Sequence, residues 1–142
     1  MKFLSQPLIS IDEPRVVLVV EDEDMVRRTL TRVLNQAGYR TLEAHHGSEA
    51  LSMVALAYPY LHLVITDVLM PELDGRALGQ RLRERYPALP VLYISAYPSD
   101  DLFHRGAPSS HAPYLQKPII PDELLRVVQQ ILSVSPEQTL HS

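Results

Sequence analysis

The chain of 142 residues has no cysteine, no tryptophan and only five glycines. The lack of cysteine excludes disulfide bonds, thiolate metal sites and a cysteine nucleophile. No apolar run approaches the roughly 18 residues that cross a bilayer, and no apolar stretch near the N-terminus is long enough for a signal peptide. We therefore expect a cytoplasmic protein that makes no contact with a membrane.

Positive charge is also scarce. The chain has 13 lysines and arginines but 17 acidic residues, which gives a net charge of −4. A mildly acidic chain is a poor candidate for direct binding to nucleic acid, which requires a basic face. Neither of the glycine-rich loops that bind the phosphates of nucleotides is present. The hydrophobic fraction of 46% is typical of one soluble globular domain.

Five apolar segments alternate with segments of helical periodicity. The predicted strands are 15–20, 39–44, 61–66, 91–94 and 114–116, and the predicted helices are 25–37, 48–58, 76–86 and 121–134. After the fourth strand, Gly106, Pro108 and Pro113 leave room for only about two helical turns, at 99–105. The fourth helix is therefore expected to be short or irregular.

The alternation of strands and helices predicts an α/β fold, in which a five-stranded parallel sheet carries helices on both faces. Ligands of such sheets bind in the crevice outside the carboxyl ends of the strands. We assign residues 15–134 to this domain, 1–14 to an N-terminal tail or linker, and 135–142 to a C-terminal tail.

Chemically active side chains stand at the ends of four of these strands. Glu21 and Asp22 follow the first, Asp67 the third, Ser95 the fourth and Lys117 the fifth. Because the carboxyl ends of parallel strands lie along one edge of the sheet, we expect these side chains to share a cleft.

The carboxylates of Glu21, Asp22 and Asp67 would repel one another in such a cleft. Two like charges about 4 Å apart repel by roughly 4 kcal/mol at an effective dielectric constant near 20. This is a large fraction of the net stability of a domain, about 5–15 kcal/mol. An all-oxygen site of this kind suits Mg²⁺, or Mn²⁺ in its place. With Lys117 and Ser95 on the other side, the cleft could hold a phosphoryl group on a carboxylate.

Four segments that carry these residues resemble the receiver domain of two-component response regulators. The segments are 17–23, 64–75, 91–96 and 114–118, and the resemblance covers 15–134. It implies a flavodoxin-like three-layer sandwich with the strand order 2-1-3-4-5. The run at 97–101 is also similar to receivers attached to hybrid sensor histidine kinases.

The resemblance implies a role for each residue at the strand ends. Asp67 matches the phosphoacceptor, and Glu21 and Asp22 match the acidic pair that holds Mg²⁺. The backbone carbonyl of Leu69 matches a further metal ligand. Lys117 matches the lysine that pairs with the phosphoryl oxygens, and its bond to Pro118 is expected to be cis. Glu21 is one methylene longer than the more usual Asp, which allows it to reach the metal through a water molecule.

Two further residues match the switch of the family. Ser95 matches the hydroxyl that hydrogen-bonds the phosphoryl group, and Tyr114 matches the aromatic residue that moves inward when this hydroxyl shifts. The implied partners are a sensor histidine kinase or a histidine phosphotransfer domain, and a downstream output protein or domain. A receiver catalyses its own phosphotransfer and dephosphorylation but is not a turnover enzyme alone.

Two other functions are compatible with this fold. A pseudo-receiver would act as a docking module without phosphorylation, and the irregular fourth helix motivates this alternative. A flavodoxin-like cofactor carrier would share the fold, but it would not need three carboxylates and a lysine in the crevice. The presence of the acidic residues, the serine and the lysine at the strand ends favours the phosphorylated receiver.

Overall fold

A computed structural model describes residues 13–97 and 113–133 of the chain. The strands are β1 (Val16–Val20), β2 (Arg40–Ala44), β3 (Leu63–Asp67), β4 (Val91–Ser95) and β5 (Tyr114–Gln116). The helices are α1 (Asp24–Gln36), α2 (Gly47–Ala57), α3 (Gly75–Arg85) and α4 (Pro121–Ser133). The predicted short helix at 99–105 and both predicted tails lie outside the described residues, apart from 13–14 of the first tail, and stay predictions.

The five strands form one parallel sheet in the order β2-β1-β3-β4-β5, which confirms the predicted topology. β1 and β3 are neighbours, with Val20 paired to Thr66 at their carboxyl ends. At the amino end of the same pair, His62 Nδ1 accepts a hydrogen bond of 2.9 Å from the Val16 amide. The ends of β1 and β3 are therefore held side by side, where the acidic residues follow.

Successive residues of each strand point to opposite faces of the sheet, so each face has its own apolar core. Val17 and Val19 of β1 face α1 and α4, where they pack with Leu34 and Leu124. Leu18 and Val20 face α2 and α3 on the other side. This burial on both faces explains why β1 is an unbroken apolar run, and it makes three layers.

The observed boundaries differ from the predicted ones by no more than two residues. Gly38 lies just beyond α1 at a φ of 101°, a left-handed conformation that glycine adopts readily at the end of a helix. β3 begins at Leu63 rather than at 61, because the chain is still turning away from α2 there, with the Tyr60 amide bonded to the Ala57 carbonyl at 2.7 Å. The Lys117–Pro118 bond is cis as expected, and a second cis bond, Tyr58–Pro59, was not predicted.

The segment 68–74, which we call the β3–α3 loop, is packed closely against α3. The Gly75 amide donates to the Val68 carbonyl at 2.8 Å. A Cβ on Gly75 would lie 2.1 Å from the carbonyl oxygen of Asp67, so only glycine fits there. Asp74 caps α3 by accepting the Ala77 amide at 2.9 Å. This packing fixes the backbone at the end of β3.

No helix in residues 13–97 and 113–133 has both the length and the apolar character needed to cross a bilayer.

Glu72 in the β3–α3 loop has a φ of 66°, a left-handed conformation that is unfavourable for a residue with a Cβ. Asn tolerates this conformation better, so we expect Glu72→Asn to raise the free energy of unfolding by roughly 0.5–1 kcal/mol. Urea unfolding at neutral pH measures the change. Glu72→Gln removes the same charge but keeps the unfavourable conformation, and an equal gain in that control would contradict the backbone explanation.

Candidate functional site

Three carboxylates converge at the carboxyl edge of the sheet. Glu21, Asp22 and Asp67 each offer an oxygen atom, and these atoms all lie within 4.8 Å of one another. The parallel pairing of β1 with β3 brings them together across 45 positions of sequence. The predicted acidic cluster is therefore present.

Glu21 is the most enclosed of the three, with no exposed surface. Its Oε2 accepts the Glu23 amide at 3.1 Å, and its Oε1 lies 2.9 Å from Lys117 Nζ. Oε1 has no well-aligned hydrogen bond in spite of this close ion pair. Burial raises the pKa of the Glu21 carboxyl to about 7, although the Lys117 ammonium and the Glu23 amide favour its ionised form.

Lys117 lies between the acidic residues and is one of only two lysines in the chain. Its Nζ is 2.9 Å from Glu21, 3.0 Å from Asp67 and 3.7 Å from Glu23. Burial alone would lower the pKa of this ammonium, but the ion pairs with Glu21 and Asp67 outweigh it and raise the pKa. Lys117 is therefore held as a cation against the acidic cluster.

Asp67 ends β3 with a side chain that is 7% exposed. Its Oδ2 contacts Lys117, and its Oδ1 accepts the Leu69 amide at 3.3 Å. This contact involves the backbone amide of Leu69 and not its carbonyl, so the role of that carbonyl as a metal ligand stays a prediction. The two contacts hold the Asp67 carboxylate in one orientation.

The donor set of the cluster suits a divalent cation. Its three carboxylates carry more negative charge than Lys117 neutralises, and hard oxygen donors are the ligands that Mg²⁺ prefers. Glu21 Oε1 is a buried oxygen without an aligned hydrogen bond, and a bound cation would give it a partner. Asp22 is exposed, which leaves the cluster open on one side.

Ser95 and Lys117 are joined across β4 and β5 by the bond from the Lys117 amide to the Ser95 carbonyl, 2.7 Å long. Ser95 is buried, and its Oγ accepts the Tyr97 amide at 3.1 Å. The Tyr114 hydroxyl donates to the carbonyl oxygen of Tyr97. Both predicted switch residues therefore contact the same residue of the segment after β4.

Arg27 is a residue of the site that the sequence interpretation missed. This residue of α1 is 4% exposed, and its guanidinium contacts the Glu21 carbonyl, Asp24 and Glu43. The spacing of Asp24 and Arg27, three apart on a helix, was a signal for one of these contacts. The contact with Glu43 joins α1 to β2, and no local pattern indicates it.

A family model described as the response regulator receiver domain matches residues 17–129. The chain is 37% identical over 117 residues to the sensor kinase CckA of Brucella abortus, covering 82% of this chain and 12% of the kinase. It is 36% identical over 127 residues to the response regulator MprA of Mycobacterium bovis, covering 89% of this chain and 54% of the regulator. The chain thus spans only part of the length of these relatives.

A similar solved structure is that of the chemotaxis protein CheY4 of Vibrio cholerae. It superimposes with a TM-score of 0.77 at 29% identity, covering 84% of this chain and all of that chain.

The raised pKa of Glu21 predicts how the stability of the metal-free protein depends on pH. The folded chain holds the Glu21 proton more tightly than the unfolded chain does, since the pKa rises from 4.5 to about 7 on folding. Stabilisation from this group is therefore complete below pH 4.5 and is lost as the pH rises through about 7. Urea unfolding in a chelator should show this loss in the wild type and not in Glu21→Gln.

The comparison needs a control for the loss of a charge near the cluster. Glu23→Gln removes an exposed carboxylate two residues away and should keep the pH dependence of the wild type. A difference in stability between the wild type and Glu21→Gln that does not vary from pH 4.5 to 7.5 would contradict the assignment to Glu21.

Proposed function

This chain belongs to the response regulator receiver domain family of two-component systems, and we propose that it accepts a phosphoryl group on the carboxylate of Asp67. The observation that supports this most directly is the convergence of Asp67 with Glu21, Asp22 and Lys117 in one cleft. Receiver domains bind Mg²⁺ at an acidic pocket, and the acidic cluster is such a pocket.

In the proposed reaction, an oxygen of the Asp67 carboxylate attacks the phosphorus atom of a phosphohistidine. The new O–P bond forms as the N–P bond breaks, and the electron pair of that bond stays on the imidazole nitrogen. A ring that is protonated on its other nitrogen leaves as neutral imidazole, and an unprotonated ring takes up a proton from solvent. The Leu69 amide and Lys117 hold the Asp67 carboxylate in place for this attack. The product is an acyl phosphate on Asp67.

Negative charge on the phosphoryl oxygens would be unfavourable beside three carboxylates. Glu21, Asp22, Asp67 and the Leu69 carbonyl are the proposed ligands for Mg²⁺, which supplies positive charge to the phosphoryl group when it is bound. Lys117 supplies a second positive charge from the chain itself, because its ammonium already lies 3.0 Å from Asp67. Mn²⁺ would fit the same oxygen donors.

The proposed switch uses the contacts around Tyr97. Ser95 Oγ accepts the Tyr97 amide, which keeps the hydroxyl proton of Ser95 available for donation to a phosphoryl oxygen. A shift of Ser95 toward the phosphoryl group would pull on the segment that also receives the Tyr114 hydroxyl. Phosphorylation would in this way change the surface around β4 and β5.

The proposed phosphoryl donor is a sensor histidine kinase or a histidine phosphotransfer domain, and the proposed recipient of the signal is an output protein or domain. We place both interactions in the cytoplasm, without direct binding of nucleic acid. The domain is proposed to comprise residues 15–134. Every strand-end position that phosphorylation would need carries a chemically suitable side chain. This does not favour the alternative of a docking module that works without phosphorylation.

Asp67→Asn should abolish uptake of a phosphoryl group, because an amide oxygen is a poor nucleophile and forms no stable acyl phosphate. Intact mass measured after incubation with Mg²⁺ and a small phosphodonor tests this. The wild type should gain one phosphate, and the variant should gain none. Asp122→Asn, an exposed carboxylate in the first turn of α4, is the matched control and should behave as the wild type.

Retained uptake at position 67 in the Asn variant would disprove the assignment of the acceptor. A wild-type protein that takes up no phosphate while Mg²⁺ binds would instead favour the docking module.

Lys117→Ala should keep the metal site but slow phosphorylation by roughly 100-fold, because the phosphoryl oxygens lose a fixed positive charge. Binding of Mg²⁺ should not weaken, since the removed ammonium competes with the cation for Glu21 and Asp67. Mg²⁺ titration and the time course of the mass change measure the two effects separately. Full switching in Lys117→Ala, seen as wild-type changes of amide NMR shifts along β5, would overturn this role.

A further inference from the structure

Arg27 joins three elements of the fold beside the acidic cluster. It lies on α1, and its Nη1 donates to the Glu21 carbonyl at 2.8 Å. Its Nη2 donates to Asp24 at 2.7 Å and its Nε to Glu43 of β2 at 2.9 Å. The three nitrogen atoms of this rigid guanidinium thus each donate to a different partner, one to a backbone carbonyl and two to carboxylates.

The Glu21 carbonyl needs a partner because it lies just beyond the end of β1. The Glu21 amide still donates to the Ala44 carbonyl, at 3.1 Å, so the hydrogen bonding between β1 and β2 continues for one residue beyond β1. The chain then turns, since Asp24 begins α1. A buried carbonyl without a hydrogen bond is unfavourable, and Arg27 supplies that bond.

The turn that Arg27 closes decides where the two acidic side chains point. Glu21 is buried against Lys117 while Asp22, the next residue, is exposed. This difference depends on the orientation of the peptide between them, whose carbonyl oxygen is the one that Arg27 holds. A rotation of that peptide would move both carboxylates relative to Asp67.

We propose that Arg27 is a positioning residue for the divalent cation site, which it acts on by fixing the peptide between Glu21 and Asp22. Glu43 supports it from β2, because the bond to Nε sets the plane of the guanidinium. This inference rests on the proposed function only in taking the acidic cluster as the place where Mg²⁺ binds. Residues that orient metal ligands typically change metal affinity by 10- to 100-fold when they are replaced.

The charge of Arg27 would act in the opposite direction to its positioning role. A cation near the acidic cluster repels Mg²⁺, so loss of that charge alone would strengthen binding. Loss of the fixed peptide would weaken binding. The sign of the change in Mg²⁺ affinity therefore separates the two effects.

Two variants of Arg27 make the test. Arg27→Gln removes the charge and the fork of donors, and Arg27→Lys keeps the charge but cannot hold three partners in one plane. Titration of the metal-free protein with Mg²⁺ alone, followed by the amide NMR shifts of Glu23 and Leu69, gives the dissociation constant. We expect binding to weaken by about 10- to 100-fold in Arg27→Gln and by about 10-fold in Arg27→Lys.

A second readout needs no metal. Exchange of the Glu21 and Glu23 amides with deuterium should become at least 10-fold faster in both variants, relative to the Leu18 amide in the middle of β1. This ratio removes any general loss of stability, because the Leu18 amide reports opening of the whole sheet.

Two control variants accompany these measurements. Arg28→Gln removes an exposed positive charge from the neighbouring position of α1 and should leave Mg²⁺ affinity unchanged. Val54→Ala destabilises the core on the other side of the sheet without touching the site. It should also leave the affinity unchanged.

The outcomes separate this inference from the proposed function. Wild-type affinity in Arg27→Lys together with unchanged or tighter binding in Arg27→Gln would overturn the positioning role and leave the metal site intact. Equal weakening in Val54→Ala would also overturn it, since stability would then explain the effect. A wild-type protein whose amides do not respond to Mg²⁺ would overturn the metal site and this inference together.

Discussion

The ion pairs of Lys117 with Glu21 and Asp67 are the interaction on which the site depends. Three carboxylates meet at one edge of the sheet, and their mutual repulsion is unfavourable unless a cation, either the Lys117 ammonium or a metal ion, lies among them. The ammonium group sits 2.9 Å from one carboxylate and 3.0 Å from the other. Lys117 neutralises only part of this negative charge, so the cleft still attracts a divalent cation, and that cation would in turn stabilise a phosphoryl group on Asp67.

The rest of the fold keeps these charges from separating. Each face of the sheet has its own apolar core, so β1 and β3 cannot slide without exposing residues on both sides. The close contact of Gly75 with the Asp67 carbonyl fixes the end of β3, and Arg27 fixes the peptide at the end of β1. The function proposed for the cleft follows from this rigidity, because a phosphoryl group can only be oriented by groups that are themselves held in place.

Local patterns were sufficient for most of the elements and for the location of the site. The apolar run that ends at Val20 predicted the first strand of the parallel sheet, and the acidic residues after it predicted one side of the cleft. Arg27 was missed because two of its partners are local but the third, Glu43, is reached only through the pairing of β2 with β1. The left-handed backbone at Glu72 was also invisible, since nothing about a glutamate predicts that conformation.

The sequence by itself determined the order of strands and helices and which side chains end each strand, because hydrophobic periodicity and chain direction are local properties. Only the tertiary structure decided that Glu21 would be buried while Asp22 stays exposed, and that the pKa of Glu21 would rise to about 7. It also decided which oxygen Lys117 contacts and that Ser95 and Tyr114 meet at Tyr97. These properties depend on distances and burial between residues far apart in the chain, which exist only when the sheet has formed.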